Sequence, residues 1–147
     1  MEQTRQIWLA RQQNLNYMVC FFRPVLENDE FFVKYGEPLG LTHVSTLAAS
    51  YVFGVNYQPL EIQKVKIFAK CPDKGNLWLS RQRNGSYILS SQKPLIKTIK
   101  LANWDDFYVQ YGDLYNIRNL CGTGIKGMFG IDINCLDSVR VTLKIVI

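Results

Sequence analysis

No stretch of this 147-residue chain approaches the roughly 18 consecutive apolar residues that a membrane-crossing helix needs. A helical membrane protein is therefore not expected. The opening run, Met1-Glu2-Gln3-Thr4-Arg5, lacks a basic-then-apolar leader, so no secretory signal is read there. Cysteine is sparse and scattered, at Cys20, Cys71, Cys121 and Cys135, and no pair has the close spacing of a zinc knuckle or a redox motif. All four sit in or beside apolar runs, where a thiol behaves as a small hydrophobe. These features point to a reduced, intracellular protein; a Cys121–Cys135 bridge stays open but nothing requires it. Histidine is rarer still. His43 stands alone, and a triad or general base needs an oriented partner that the sequence does not supply. His43 is read as a loop or helix-cap residue, and the chain as a non-enzyme.

Other catalytic and ligand-binding motifs are also missing. Gly122-Thr-Gly-Ile-Lys-Gly resembles a phosphate-cradling loop in outline, but Lys126 is followed by Gly127 where the Walker pattern needs Ser or Thr. It is read as a flexible strand connection. Asp105 and Asp106, with Asp113 nearby, offer oxygen atoms to a hard cation. Adjacent aspartates diverge on a helix, however, and a helix start stabilised by its dipole accounts for them. Asn84-Gly85-Ser86 matches a glycosylation triplet but reads as a hairpin turn. No cofactor and no metal are expected.

What is present is apolar, aromatic and strand-like. Hydrophobic residues make up 48% and charged residues 20%, with eight Phe, eight Tyr and three Trp, a composition that favours strands and contact surfaces. Charge is uneven: residues 1–60 carry four Lys/Arg against five Asp/Glu, whereas residues 61–147 carry thirteen against seven. The second half is thus suited to face a polyanion, or else has an ordinary Lys-rich surface.

Along the chain, residues 2–13 are polar and helix-permissive, with Ile7, Trp8 and Leu9 as a small apolar patch. They read as a short helix or a strand-like arm. Leu15–Val25 reads as one strand and Glu30–Tyr35 as a second. Thr42–Val52 is the best helix, capped by Thr42 and stopped by Gly54. Leu60–Lys70 alternates strictly, with Val65, Ile67 and Ala69 on one face and Lys64, Lys66 and Lys70 on the other. Leu77–Gln82 and Tyr87–Ser91 flank the Asn84-Gly85 turn, and Lys93–Leu101 follows as another strand. Asn103–Phe107 reads as a capped helical turn running toward Tyr111, and Leu114–Leu120 as extended. The last segment, Ser138–Ile147, sets Val139, Val141, Leu143, Ile145 and Ile147 against Arg140, Thr142 and Lys144. No internal repeat is read. The expectation is an arm or short helix over 1–14 and one domain over 15–147, with about eight antiparallel strands and one or two short helices in loops.

The most informative chemistry is basic. If the strands at 60–70 and 138–147 are neighbours, Lys64, Lys66, Lys70, Arg140 and Lys144 line one sheet surface. Further cations lie near aromatics at Trp78-Leu-Ser-Arg81-Gln-Arg83, and Arg5 and Arg11 are the cations of the first fourteen residues. Phosphate contacts plus aromatic stacking would suit single-stranded nucleic acid. Wet-face lysines that discourage edge aggregation are the plainer alternative.

Two segments resemble a known family. Leu47-Ala-Ala-Ser-Tyr-Val-Phe-Gly-Val-Asn-Tyr-Gln-Pro-Leu-Glu-Ile-Gln-Lys-Val-Lys-Ile-Phe-Ala is similar to the helix-to-fourth-strand segment of single jelly-roll coat proteins of satellite viruses and small circular DNA viruses. Asp137-Ser-Val-Arg-Val-Thr-Leu-Lys-Ile-Val-Ile is similar to that family's final strand. The resemblance covers about residues 45–70 and 137–147. It implies a single jelly-roll β-sandwich whose fourth and last strands share a sheet, placing the five cations together. It also implies self-assembly into an icosahedral shell around viral RNA or DNA, in the virion and the host cell interior. One departure stands out: such coat proteins usually begin with a long basic arm, and here residues 1–14 hold only Arg5, Arg11 and Glu2. An accessory role of movement or shuttle type, or a lectin-like β-sandwich binding module, is the alternative.

Overall fold

The computed structural model describes residues 2–33, 37, 39–101, 103–108 and 117–146. Asp113, the end of the Glu30–Tyr35 segment, the run toward Tyr111, the beginning of Leu114–Leu120 and Ile147 lie outside the described residues. The fold is all-β, an eight-stranded, antiparallel, near-closed sandwich of jelly-roll-like type with two short helices. In chain order the first part holds β1 (Glu2–Arg11), β2 (Tyr17–Cys20), β3 (Val25–Glu27), β4 (Glu30–Phe32), β5 (Leu41–Val44), α1 (Thr46–Phe53) and β6 (Ile62–Lys70). The second holds β7 (Leu77–Arg81), β8 (Tyr87–Ser90), β9 (Leu95–Ile99), β10 (Trp104–Tyr108), β11 (Ile117–Leu120), α2 (Gly122–Phe129) and β12 (Ser138–Val146).

The two parts repeat one another, contrary to the expectation of no repeat. The hydrogen-bonded order is β11-β8-β7-β12-β6-β1-β2-β5, so β6-β1-β2-β5 in one half matches β12-β7-β8-β11 in the other. Each half also carries a separate two-stranded ribbon, β3–β4 or β9–β10. Once the topology is known, the sequence shows the same relation: Ile7-Trp-Leu-Ala-Arg-Gln-Gln-Asn-Leu-Asn-Tyr17 aligns with Leu77-Trp-Leu-Ser-Arg-Gln-Arg-Asn-Gly-Ser-Tyr87. Backbone chemistry repeats too. Leu15 and Gly85 both take positive φ in their turns, as do Leu60 and Leu136 before β6 and β12. The halves join where β6 and β12 pair antiparallel, and Phe68 lies opposite Lys144, its own equivalent. A pseudo-two-fold axis therefore passes through this pair.

Residues 2–11, read as a short helix or a strand-like arm, form a strand paired on both sides, with β2 and with β6. Alternation explains it: Ile7 and Leu9 point into the main core and are fully buried, while Trp8 points outward. Helix α1 begins at Thr46, later than expected, because the Ser45 hydroxyl is the cap, accepting from the Ala48 N–H at 3.1 Å. The glycine-rich loop read after Cys121 is in fact α2. The Cys121 Sγ accepts from the Gly124 N–H at 3.2 Å, and Gly130 closes the helix in the left-handed conformation. Poor local propensity is overcome by burial of Ile125, Met128 and Phe129, which recur at helical spacing. Of Asn103–Phe107, read as a helical turn, Asn103 is a turn residue and the rest belongs to strand β10, where Phe107 faces inward and packs on Ile88.

One face of the curled sheet and the two helices enclose a core drawn from both halves. Helix α1 packs against β12 and α2 against β1 and β6, so each helix seals the other half's strands. The free edges of β5 and β11 line a common cleft of about 250 Å³, which marks the seam of the near-closed sheet. On the outer face the ribbons cover the two ends. The β3–β4 ribbon buries Ala10, Met18 and Cys20 beneath Phe31, and the β9–β10 ribbon buries Ile88 beneath Phe107. This explains why β2 and β8 are buried on both faces.

Candidate nucleic-acid interface

Between the two ribbons the outer face is open. Strand alternation puts Lys64, Lys66, Phe68 and Lys70 of β6 on it, and the register sets Trp8 opposite Lys64, Gln6 opposite Lys66 and Glu2 opposite Lys70. Across the pseudo-axis, Lys144 of β12 pairs with Phe68 and holds its ammonium 5.2 Å from the ring centre. Arg140 pairs with Trp78 of β7. The five cations expected to share a surface therefore do share one.

Each half adds a tryptophan flanked by two cations. The Arg23 guanidinium lies 4.9 Å and the Lys64 ammonium 5.9 Å from the Trp8 ring centre. The Lys93 ammonium lies 5.0 Å and the Arg140 guanidinium 5.8 Å from the Trp78 ring centre. The members are equivalent in the repeat: Trp8 with Trp78, Lys64 with Arg140, and Arg23-Pro24 with Lys93-Pro94, each proline being buried and its preceding cation exposed. Such contacts draw on the negative face of the indole ring, and Trp is the best ring for them. Lys64 and Arg140 stand four residues either side of the axis, so the two clamps are roughly 26 Å apart along the strands.

One end of the face is tempered by acid. The Thr142 hydroxyl donates to the Asp73 carboxylate. That bond, then the Lys74 backbone N–H and the nearby Lys70 charge, hold the Asp73 carboxyl below its ordinary range. Arg140 is steadied here as well, its Nε donating to the Gly75 carbonyl at 3.2 Å.

Four other cations named from the sequence are elsewhere. Arg5 points to the helix side and donates from Nε to the Gly127 carbonyl at 3.0 Å. Arg11 donates to the Tyr57 carbonyl and lies 5.5 Å from the Tyr17 ring centre. Its equivalent Arg81 donates to the Ile133 carbonyl at 2.8 Å and lies 5.8 Å from the Tyr87 ring centre. Odd positions on β1 and β7 face inward, so these arginines tie the segments leading into β6 and β12 to the core. Arg83 lies in the β7–β8 turn, its backbone N–H donating to Asp106 at 3.4 Å. Trp8, Phe68, Arg23 and Lys93 were missed, and Trp78 was noted only as an aromatic near Arg81 and Arg83; the signal was the Trp-Leu-x-Arg-Gln motif occurring twice, each followed by a cation-proline pair.

The remaining candidates have structural surroundings. His43 is exposed on β5 beside the seam cleft. Asp105 accepts from the Thr98 hydroxyl at 2.7 Å, and Asp106 accepts from the Phe107 N–H at 2.8 Å. Among the described residues no three His, Cys, Asp or Glu side chains gather as a metal site. Asn84 accepts from the Ser86 N–H at 3.0 Å, the bond of a tight turn. Comparison with family models, curated proteins and solved structures finds no match for this chain.

Proposed function

We propose that this is a non-enzymatic protein that binds a single strand of nucleic acid across the open face of its sheet. The observation that carries the proposal is the grouping of seven cations with two outward tryptophans: Arg23, Lys64, Lys66, Lys70, Lys93, Arg140 and Lys144 surround Trp8 and Trp78. Lysine and arginine heads meet phosphates, and indole rings offer stacking surfaces that any unpaired base can use. In a duplex the base faces are covered by the neighbouring stacked pairs, which favours a single strand. In the free protein the cations lie on the rings. On binding, a base takes the ring and the displaced head turns to the adjoining phosphate.

The resemblance to jelly-roll coat proteins supplies a setting for this binding: a viral coat-type protein that self-associates around RNA or DNA, with an accessory or shuttle role as the version lacking a shell. Electron microscopy separates them, since only the first gives closed particles. The binding itself is tested by the salt dependence of affinity for a labelled single-stranded oligonucleotide. Each phosphate contact contributes about 0.7 to the slope of log K against log salt. Lys64→Gln/Lys66→Gln/Lys144→Gln should flatten the slope by about 2, and an unchanged slope would overturn the proposal.

A further inference from the structure

The two tryptophan clamps stand at the ends of one diagonal across the open face. They are roughly 26 Å apart along the strands, and Trp8 on β1 lies three strand spacings from Trp78 on β7, so the rings are roughly 30 Å from one another. The ground between them carries charge at regular intervals. Lys66 of β6 follows the Trp8 clamp, opposite Gln6 on one side and Val146 on the other. Phe68 comes next, beside the Lys144 ammonium, at the pseudo-axis and midway between the clamps. Lys70 lies beyond it, opposite Thr142, before Arg140 opens the second clamp. The diagonal thus has an aromatic ring at each end and one at its centre, with lysines between them.

Resting on the single-strand reading above, we propose that one strand engages both clamps at once, so that the ligand is a long single strand and not a mono-, di- or trinucleotide. A stacked strand advances about 3.4 Å per nucleotide, so about nine nucleotides cover the diagonal, and a strand unstacked onto the rings covers it with fewer. A trinucleotide reaches only one clamp. It finds two like places on each chain, each a ring with two cations, and binds either of them weakly. A longer strand that has seated one base on Trp8 holds its far end near Trp78 at an effective concentration of about millimolar order, which makes the second seating intramolecular. Its phosphates between the clamps also meet Lys66, Lys144 and Lys70, contacts that a strand confined to one clamp lacks. Affinity therefore climbs steeply with length until both clamps are bridged, and gains little beyond.

The test follows the tryptophan indole N–H resonances of the isotope-labelled full chain at low ionic strength, during titration with oligothymidylates of about three to about ten nucleotides. Trp8→Ala and Trp78→Ala, their folds checked by circular dichroism, assign the signals. The trinucleotide should shift the Trp8 and Trp78 signals independently, with the same affinity at Trp78 in the native chain and in Trp8→Ala. The decanucleotide should shift both signals together at one strand per chain, and bind about a hundredfold more tightly. Either tryptophan variant should lose about that factor for the decanucleotide and almost nothing for the trinucleotide at its remaining clamp. Two decanucleotides per native chain at saturation, or a variant that keeps the advantage of length, would overturn the proposal while leaving single-strand binding in place. Silence of both signals at every length would overturn the single-strand reading itself, and the proposal with it.

Discussion

At the scale of single residues, the repeat gives many side chains a twin, and twins make paired predictions. The Tyr17 hydroxyl accepts from the Tyr57 N–H at 2.7 Å, and the Tyr87 hydroxyl accepts from the Ile133 N–H at 3.2 Å. Both rings are fully buried. Tyr17→Phe and Tyr87→Phe should each lower stability by about 1–2 kcal/mol in urea denaturation, since each leaves a backbone donor unsatisfied. Two unchanged midpoints would remove these bonds from the account. The thiols make a different prediction. Burial pushes Cys20 up to about 12 and Cys71 up to about 11 from the ordinary thiol value of 9.0. In the unfolded chain both ionise near 9.0, so above that pH the unfolded state has lost protons that the native state retains. Their contribution to stability is complete below pH 9.0 and falls as pH rises toward 11–12. Native protein near pH 8 should be alkylated by a maleimide at exposed Cys135 and protected at Cys20.

At the scale of elements, α2 shows where local sequence and tertiary packing disagree. Gly122, Gly124 and Gly127 argue for a loop, and three glycines in eight residues cost roughly 3 kcal/mol of helix propensity. The helix forms because Ile125, Met128 and Phe129 bury one face on the sheet, and because Gly127 admits the Phe21 ring where a Cβ would stand 3.3 Å from it. Ile125→Ala should therefore cost about 2–4 kcal/mol, as for a core residue, whereas a loop residue would cost almost nothing. Thermal denaturation distinguishes these outcomes. The same competition explains which elements were legible from sequence. Leu60–Lys70 and Ser138–Ile147 were readable because each buries one face and wets the other. The segment 2–11 was opaque because Glu2, Thr4, Gln6 and Trp8 lie on the open face, where neither strand nor helix periodicity demands apolar residues. β10 was misread because Asn103 and two aspartates look like a helix start, and only the pairing with β9 makes them a ribbon.

At the scale of the whole molecule, the repeat organises everything that the linear reading left separate. Sequence alternation placed five cations on two strand faces but gave no reason for those strands to meet. They meet because the two halves join through β6 and β12, around Phe68 and Lys144. The sequence repeats the members of the tryptophan clamps but does not show that they meet, since the Arg23 and Lys93 loops reach Trp8 and Trp78 only after the ribbons fold over the sheet ends. Arg11 and Arg81 looked like surface cations, but repeat-equivalent bonds draw both inward. The central claim is a single-strand site built from two equivalent clamps, and the most direct measurement is the affinity of one oligonucleotide for Trp8→Ala, Trp78→Ala and Trp104→Ala. Trp104 is the third tryptophan and sits on the β9–β10 ribbon, outside the open face. The account predicts that the first two substitutions weaken binding by about 1–3 kcal/mol each and that the third leaves it unchanged. Equal losses from all three, or a loss from Trp104→Ala alone, would contradict it.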